Sequence, residues 1–348
     1  MPTPTFIIIT VVVLICIAFI VFKQLTPGDQ NAKVGSNYIY QTTLPPEPSG
    51  NAESINALLA GLPSNGGQVY LGSGVYTIDQ NIWINKPNVT IKGTPGATTL
   101  IFVNGVNEPL VSIGSRSQTL TTTIDNITLD GLILDGNATG QTSTTSVSAP
   151  WLTNNVIDIR GATNVTISSC ELRNGIASGV IADFNSNGFR FVNSKSINMT
   201  ISSIVMGSIN DSTLSDFVAD TTLSSHAVVI NNGCNNSTIT NGHIINGHYD
   251  GISTTNCSSI NINNLVIANN GSNGISINDN GVGSGSPNVS IFACKIYDNS
   301  SYGFAMNSIS TTSPNVALAG CIIGPNNAAG NTYTVTNGAY SAVGVVLF

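Results

Sequence analysis

The chain has 348 residues, 41% of them hydrophobic and 8% charged, with ten Lys and Arg and a net charge of −7. Such a chain can build a large core, but its surface must be covered mostly by Asn, Ser, Thr and Gly, and ordinary disorder is excluded. Ten cations under a net negative charge offer no patch that could track a phosphate backbone, so no nucleic-acid partner is expected.

After a short tail, residues 1–5, comes an uninterrupted uncharged stretch of 17 residues from Phe6 to Phe22, the lower limit for crossing a bilayer. No basic residue precedes it and no small-x-small cleavage site follows it, so it reads as an uncleaved membrane anchor and not as a signal peptide. Lys23 and Lys33 on its C-terminal side would draw the domain toward the cytoplasm. Twelve N-x-S/T sequons argue for the outside, which is the expected location. Residues 23–50 contain Pro27, Pro45, Pro46 and Pro48, show no periodicity and read as a stalk. From Asn51 to Gly61, Ile55, Leu58 and Leu59 recur at helical spacing and Leu62 continues the pattern, predicting an amphipathic helix that closes the first coil of a stacked array.

The array is written as a repeat. NVTI at Asn88, NITL at Asn126, NVTI at Asn164, NMTI at Asn198, NSTI at Asn236, SINI at Ser259, NVSI at Asn288 and NVAL at Asn315 return at intervals of a few tens of residues. Three places after each start stands an apolar residue: Ile91, Leu129, Ile167, Ile201, Ile239, Ile262, Ile291 and Leu318. Eight places after it stand Leu134, Leu172, Met206, Ile244, Ile267, Ile296 and Ile323, with Gly96 in the first copy. Two short alternating strands separated by a bend satisfy this pattern. A third strand comes next in Val156-Ile-Asp-Ile159, Val180-Ile-Ala182, Val228-Val-Ile230 and the glycine-led segments at Gly251, Gly274 and Gly303. Three short strands per coil cannot bury a face alone, but stacked coils at the ordinary strand spacing of about 4.8 Å form continuous apolar columns. The fold class is therefore all-β, a right-handed parallel β-helix of about ten coils. Its C-terminal end, Thr332 to Thr336, then Asn337-Gly338, then Ala339 to Phe348, reads as a hairpin cap to a domain spanning 51–348.

Cys170, Cys294 and Cys321 share one repeat position and are expected as buried free thiols, while Cys234 and Cys257 lie near one another in adjacent coils, where a disulfide is open. Six sequons coincide with the repeat start, where Asn suits a bend and Thr or Ser a strand. Asn137, Asn210, Asn270 and Asn299 lie elsewhere and are the glycosylation candidates.

The stretch from Ser54 to Leu100 orders a helix, a Gly-Gly turn, V-x-L-x-x-G-x-Y and N-V-T-I-x-G. In that order it resembles the N-terminal part of the pectate-lyase-like superfamily, the β-helices that include pectate lyases, polygalacturonases, mannuronan epimerases and phage tailspikes. The resemblance covers roughly residues 50–335. It implies a substrate, usually a uronic-acid polymer, lying along one strand face between loops.

Stacking the third strands puts Asn155, Ser178, His226, Asp250, Asn273 and Tyr302 in one column. His226 and Asp250 form a His–carboxylate pair suited to general acid–base work, the catalytic candidates. His248 and Tyr249, just before Asp250, and Asn273 and Tyr302 are candidate substrate contacts. Tyr249-Asp-Gly-Ile252 partly resembles the polygalacturonase Asn-Thr-Asp-Gly motif, but Ser272-Asn273 stands where that family has paired aspartates and Ser301-Tyr302 where it has Gly-His. A pectate-lyase reading implies a calcium cluster, for which Asp158 and Asp183 beside Arg160, with Asp130 and Asp135 near, are the candidate ligands. No other cofactor is expected. Trp151 ends a long uncharged insertion, Asn137 to Pro150, and is a candidate for stacking on a sugar ring.

Two functions compete. One is a membrane-anchored surface β-helix whose partner is an extracellular polysaccharide or glycoconjugate, bound and, with a complete acid–base set, cleaved by a lyase or hydrolase reaction. The other is a non-catalytic structural or adhesive component of a cell envelope or virion.

Overall fold

The computed structural model describes residues 51–120, 123–279, 288–308 and 315–325, together with the backbone of short strands at 33–34, 37–38, 41–44, 333–336, 339–343 and 346–347. The apolar stretch 6–22 lies outside these residues, and among the described residues no helix is long and apolar enough to cross a membrane.

The described chain coils through three parallel sheets of twelve, eleven and ten strands. Each coil visits the first, second and third sheet in that order, and each strand pairs with its counterpart one coil on. The first sheet shows why the sequence repeats. Ile91, Leu129, Ile167, Phe191, Leu214, Ile239 and Ile262 are in register, and each is almost wholly buried. Fully burying one such side chain contributes roughly 1.5–3 kcal/mol, and every coil adds several.

The recurring asparagine has a backbone reason. Asn88, Asn126, Asn164 and Asn236 lie at φ of 54°, 62°, 52° and 51°, the left-handed region that Asn tolerates better than other side-chain-bearing residues. Their side chains also tie coil to coil, as where Asn126 Nδ2 donates to Asn88 Oδ1 at 2.9 Å. At Gly66, φ 94°, a Cβ would sit 2.3 Å from the Asn88 carbonyl oxygen, so only glycine admits the second coil there.

Three expectations change, and one open alternative is decided. Asn198 does not start a coil. It lies in the second-sheet strand Lys195–Met199, and the coils between Asn164 and Asn236 begin near Gly188 and Asp211, with first-sheet strands Arg190–Val192 and Thr213–Ser215. Ile201 is accordingly half-buried, its place in the column taken by Phe191 and Leu214. These coils hide because their second-sheet inward residues are small, Ser196 and Ala219, and Phe189, Phe191 and Phe217 supply the bulk.

The C-terminal hairpin is also replaced. Tyr333–Thr336, Ala339–Val343 and Val346–Leu347 join the third, first and second sheets as parallel strands of a further coil. At the other end, part of the expected stalk is sheet: Gln41–Leu44 pairs in parallel with Gly67–Leu71. The helix Asn51–Gly61 forms as expected, burying Ala52, Ile55 and Leu59 against Gly74–Ile78 and Ile82–Ile84, the first strands of the second and third sheets. Finally, Cys234 and Cys257 are buried free thiols, as are Cys170, Cys294 and Cys321.

Candidate functional site

The outer face of the third sheet carries two side-chain columns. In one, Trp83, Ser112, Asp158, Ile181, Val205 and Val229 succeed one another in register. In the other, Gly114, Arg160 and Asp183 do so, and Gly207 stands directly opposite Asn231. Strand alternation sends these residues outward because Ile157, Ile159, Val180 and Ala182 between them face the core.

Asp158, Arg160 and Asp183 are therefore brought together, as their spacing predicts. Arg160 is 4% exposed. Its guanidinium lies 4.2 Å from the Phe184 ring centroid, and its Nη1 donates to the Ser117 carbonyl at 3.3 Å. Its Nε is 3.7 Å from Asp183 Oδ1, and neither of those two atoms has a hydrogen-bond partner within the chain. Burial pushes the Asp158 carboxyl up to about 6, against the pull of an Asn155 hydrogen bond and of Arg160 and Arg116. Burial and the neighbouring Asp158 charge push Asp183 up to about 7, with Arg160 opposing. Two carboxyls raised by burial around one buried guanidinium make this cluster a candidate site.

The insertion 137–150 packs against Val103, Asn107, Glu108 and Arg116 of the preceding coil. Glu108 anchors it, accepting from Arg116 Nη2 at 2.8 Å, from the Ser146 hydroxyl and from the Ser148 N–H at 2.6 Å. Trp151 donates its indole N–H to the Arg116 carbonyl at 3.1 Å, leaving the ring 46% exposed. Trp83, held by Gly114 O at 2.8 Å, and Phe184 are likewise exposed. Sequence reasoning missed Trp83, Phe184, Glu108 and Arg116. Only Trp83 carried a local signal, an aromatic between inward Ile82 and Ile84.

Asp130 and Asp135 do not join the cluster. They lie on the first and second sheets, facing Lys92 at 3.4 Å and Arg173 at 2.7 Å. Among the described residues no group of three or more His, Cys, Asp or Glu is placed to hold a metal ion.

His226 and Asp250 sit two and three coils beyond Asp183, at the opposite margin of the third sheet. The column containing them is a ladder in which a side chain accepts the backbone N–H of the next coil. Ser178 N donates to Asn155 Oδ1 at 3.1 Å, Asp250 N to His226 Nδ1 at 3.1 Å, Asn273 N to Asp250 Oδ1 at 2.9 Å and Tyr302 N to Asn273 Oδ1 at 3.2 Å. Ser202, in the coil unseen from sequence, belongs to the same ladder. Asp250 Oδ2 lies 3.2 Å from the same His226 Nδ1. The two contacts are alternatives: a bare Nδ1 accepts the backbone N–H, whereas an Nδ1 that carries a proton donates to the carboxylate. Burial alone would raise Asp250, but bonds with His226, the Asn273 N–H and Ser272 hold it below its usual range. Tyr249 is exposed, its ring edge-on to His248 at 4.6 Å and tilted to His226 at 5.6 Å.

The glycosylation candidates divide. Asn137 and Asn210 are half-buried. Asn270 and Asn299 are wholly buried, with Gly247 N donating to Asn270 Oδ1 and Asn270 Nδ2 to Asn299 Oδ1, both at 2.8 Å. The folded chain leaves no room for a glycan on these two, which are interior ladder residues.

No protein-family model matches the chain, and no curated protein does. Solved structures do match. The A-module of mannuronan C-5 epimerase AlgE6 of Azotobacter vinelandii aligns at 16% identity over 86% of this chain and 96% of that one, with a TM-score of 0.54. ORF18 of Geobacillus virus E2 aligns at 12% identity over 88% and 62%, with a TM-score of 0.67. The polygalacturonase of Erwinia carotovora ssp. carotovora aligns at 14% identity over 90% and 100%, with a TM-score of 0.59. At these identities the likeness is one of fold. The fold is a parallel β-helix like that of the epimerase module and the polygalacturonase.

Proposed function

We propose that this protein is a surface-displayed β-helix that binds a polysaccharide along the outer face of the third sheet, held at a membrane by the apolar stretch from Phe6 to Phe22. The observation that carries the reading is the Asp158, Arg160 and Asp183 cluster with the exposed Phe184 ring packed on Arg160, since sugar rings stack on aromatics while their hydroxyls bond to carboxyls. Two of the similar structures are named for enzymes of mannuronan and polygalacturonan, which supports a glycan partner. Asp183 would serve as proton donor in cleavage, because a carboxyl held up to about 7 keeps its proton near neutral pH.

The test is to incubate the protein with a panel of polysaccharides and follow binding, reducing ends and unsaturated-product absorbance. Binding lost in Trp151→Ala, and product lost in Asp183→Asn with binding retained, are the expected results. No binding to any glycan sinks the proposal. A second reading, a non-catalytic adhesive or structural component, is favoured by the engagement of His226 and Asp250 in the backbone ladder; binding without product would establish it.

A further inference from the structure

Beside the Asp158, Arg160 and Asp183 cluster the same face opens into a cleft of about 250 Å³, lined by Ile181, Asp183, Phe184, Val205, Gly207 and Asn231 among others. Gly207 creates it. A Cβ at that position would lie 3.1 Å from Asn231 Oδ1 and 3.6 Å from Asp183 Cβ, so any longer side chain would fill the gap between them. The floor is aliphatic, one wall is the exposed Phe184 ring, and the polar groups are a carboxyl and amides. That is a fit for one sugar ring, whose C–H face is apolar and whose rim is hydroxyl.

The charges around the cleft identify which sugar. Among the described residues, Arg160 and Arg116 are the cations whose charge acts on Asp158. Arg116 is bound to Glu108 at 2.8 Å, and Arg160 is buried between Asp158 and Asp183. Lys92 and Arg190 lie on first-sheet strands. Arg173, Lys195 and Lys295 lie on second-sheet strands, and Lys86 is tied to the Ala60 and Leu62 carbonyls. A uronic-acid polymer would therefore lay a carboxylate on every residue against a face that holds Asp158 and Asp183 and, among the described residues, no open cation. Desolvating such charges without partners is unfavourable.

We infer that this face takes an uncharged polysaccharide, with one ring seated in the Gly207 cleft against Phe184, and not the uronic-acid polymer that the fold's resemblance implies. The inference rests on the glycan-binding reading above. Its test measures binding of the full-length protein to neutral glucans, mannans and galactans, to polygalacturonate and alginate, and to chitosan, from about 20 mM to about 500 mM NaCl. Binding to a neutral polymer that persists unchanged across that range is expected. Gly207→Leu and Phe184→Ala should each weaken it about tenfold while leaving the β-sheet circular dichroism intact. Phe184 is exposed, so its variant remains informative if Gly207→Leu fails to fold. Binding confined to polyuronates or to chitosan overturns the inference while leaving the glycan reading intact, as does neutral binding indifferent to both substitutions. Binding to no polymer overturns both.

Discussion

At the scale of single residues, the third-sheet face is built from groups that the fold holds away from their ordinary protonation. Asp158 and Asp183 are pushed from 3.8 up to about 6 and about 7. The folded state therefore binds their protons more tightly than the unfolded chain does. Their contribution is fully present below about pH 4 and is lost as pH rises through about 6 for Asp158 and about 7 for Asp183. For Asp158, which is wholly enclosed, the loss across that window is on the order of 3 kcal/mol. Asp158→Asn keeps a side chain able to accept from Asn155 and removes the titration. Its melting temperature should fall less steeply between pH 4 and 8 than that of the parent, and exceed it at pH 8. Equal slopes in thermal melts would show that Asp158 ionises freely.

At the scale of elements, the phase of the repeat decides which substitutions the fold tolerates. Leu214 is wholly buried in the first-sheet column, whereas Ile201 lies half-buried at a corner, its N–H bonded to the Ala177 carbonyl at 3.0 Å. Leu214→Asp should abolish folding, an effect beyond about 4 kcal/mol. Ile201→Asp should lower the urea midpoint only modestly and leave the β-sheet circular dichroism intact. The reverse ranking would restore Asn198 as the start of a coil. This contrast marks how much of the fold could be read beforehand. Asn88, Asn126 and Asn164 announce their coils because one side chain both adopts the left-handed corner and bonds to the coil below. Gly188 and Asp211 reach the same corner by other means, at φ of 72° and 58°, and leave no shared letter. The column of His226 and Asp250 was legible because two-residue alternation fixes register. Its role as a backbone ladder was not, since that depends on corner geometry. Glu108 and Arg116 were invisible for a similar reason: they act through a loop that returns to them from more than thirty residues away.

At the scale of the whole molecule, the apolar core runs unbroken from Ala52 to Ile323, but each strand pairs with its counterparts in the coils beside it, so stability is carried by neighbour-to-neighbour contacts along the stack. The buried thiols report on this directly. Cys170 is an early-coil residue whose Sγ lies 3.6 Å from the Leu129 carbonyl. Burial pushes its thiol up to about 12, so it reacts only when its coil opens. Cys294 and Cys321 sit several coils later and are wholly buried. Cys294 is also raised, by its bond with Cys321 and by burial. Leu129→Ala would leave a cavity beside Cys170 with a loss of about 2–5 kcal/mol. If opening propagates only between neighbours, alkylation followed by peptide mass spectrometry should find Cys170 labelled faster in this variant, while Cys294 and Cys321 keep the parent rate. A stack that opens as one unit would accelerate all three alike, because each thiol would then be exposed by the same global event. The distinction bears on binding as well. The Gly207 cleft lies two coils beyond Asp158, and in a neighbour-coupled array a ligand seated there should slow labelling at Cys234, whose Sγ donates to the Met206 carbonyl at 3.3 Å, while leaving Cys321 unprotected.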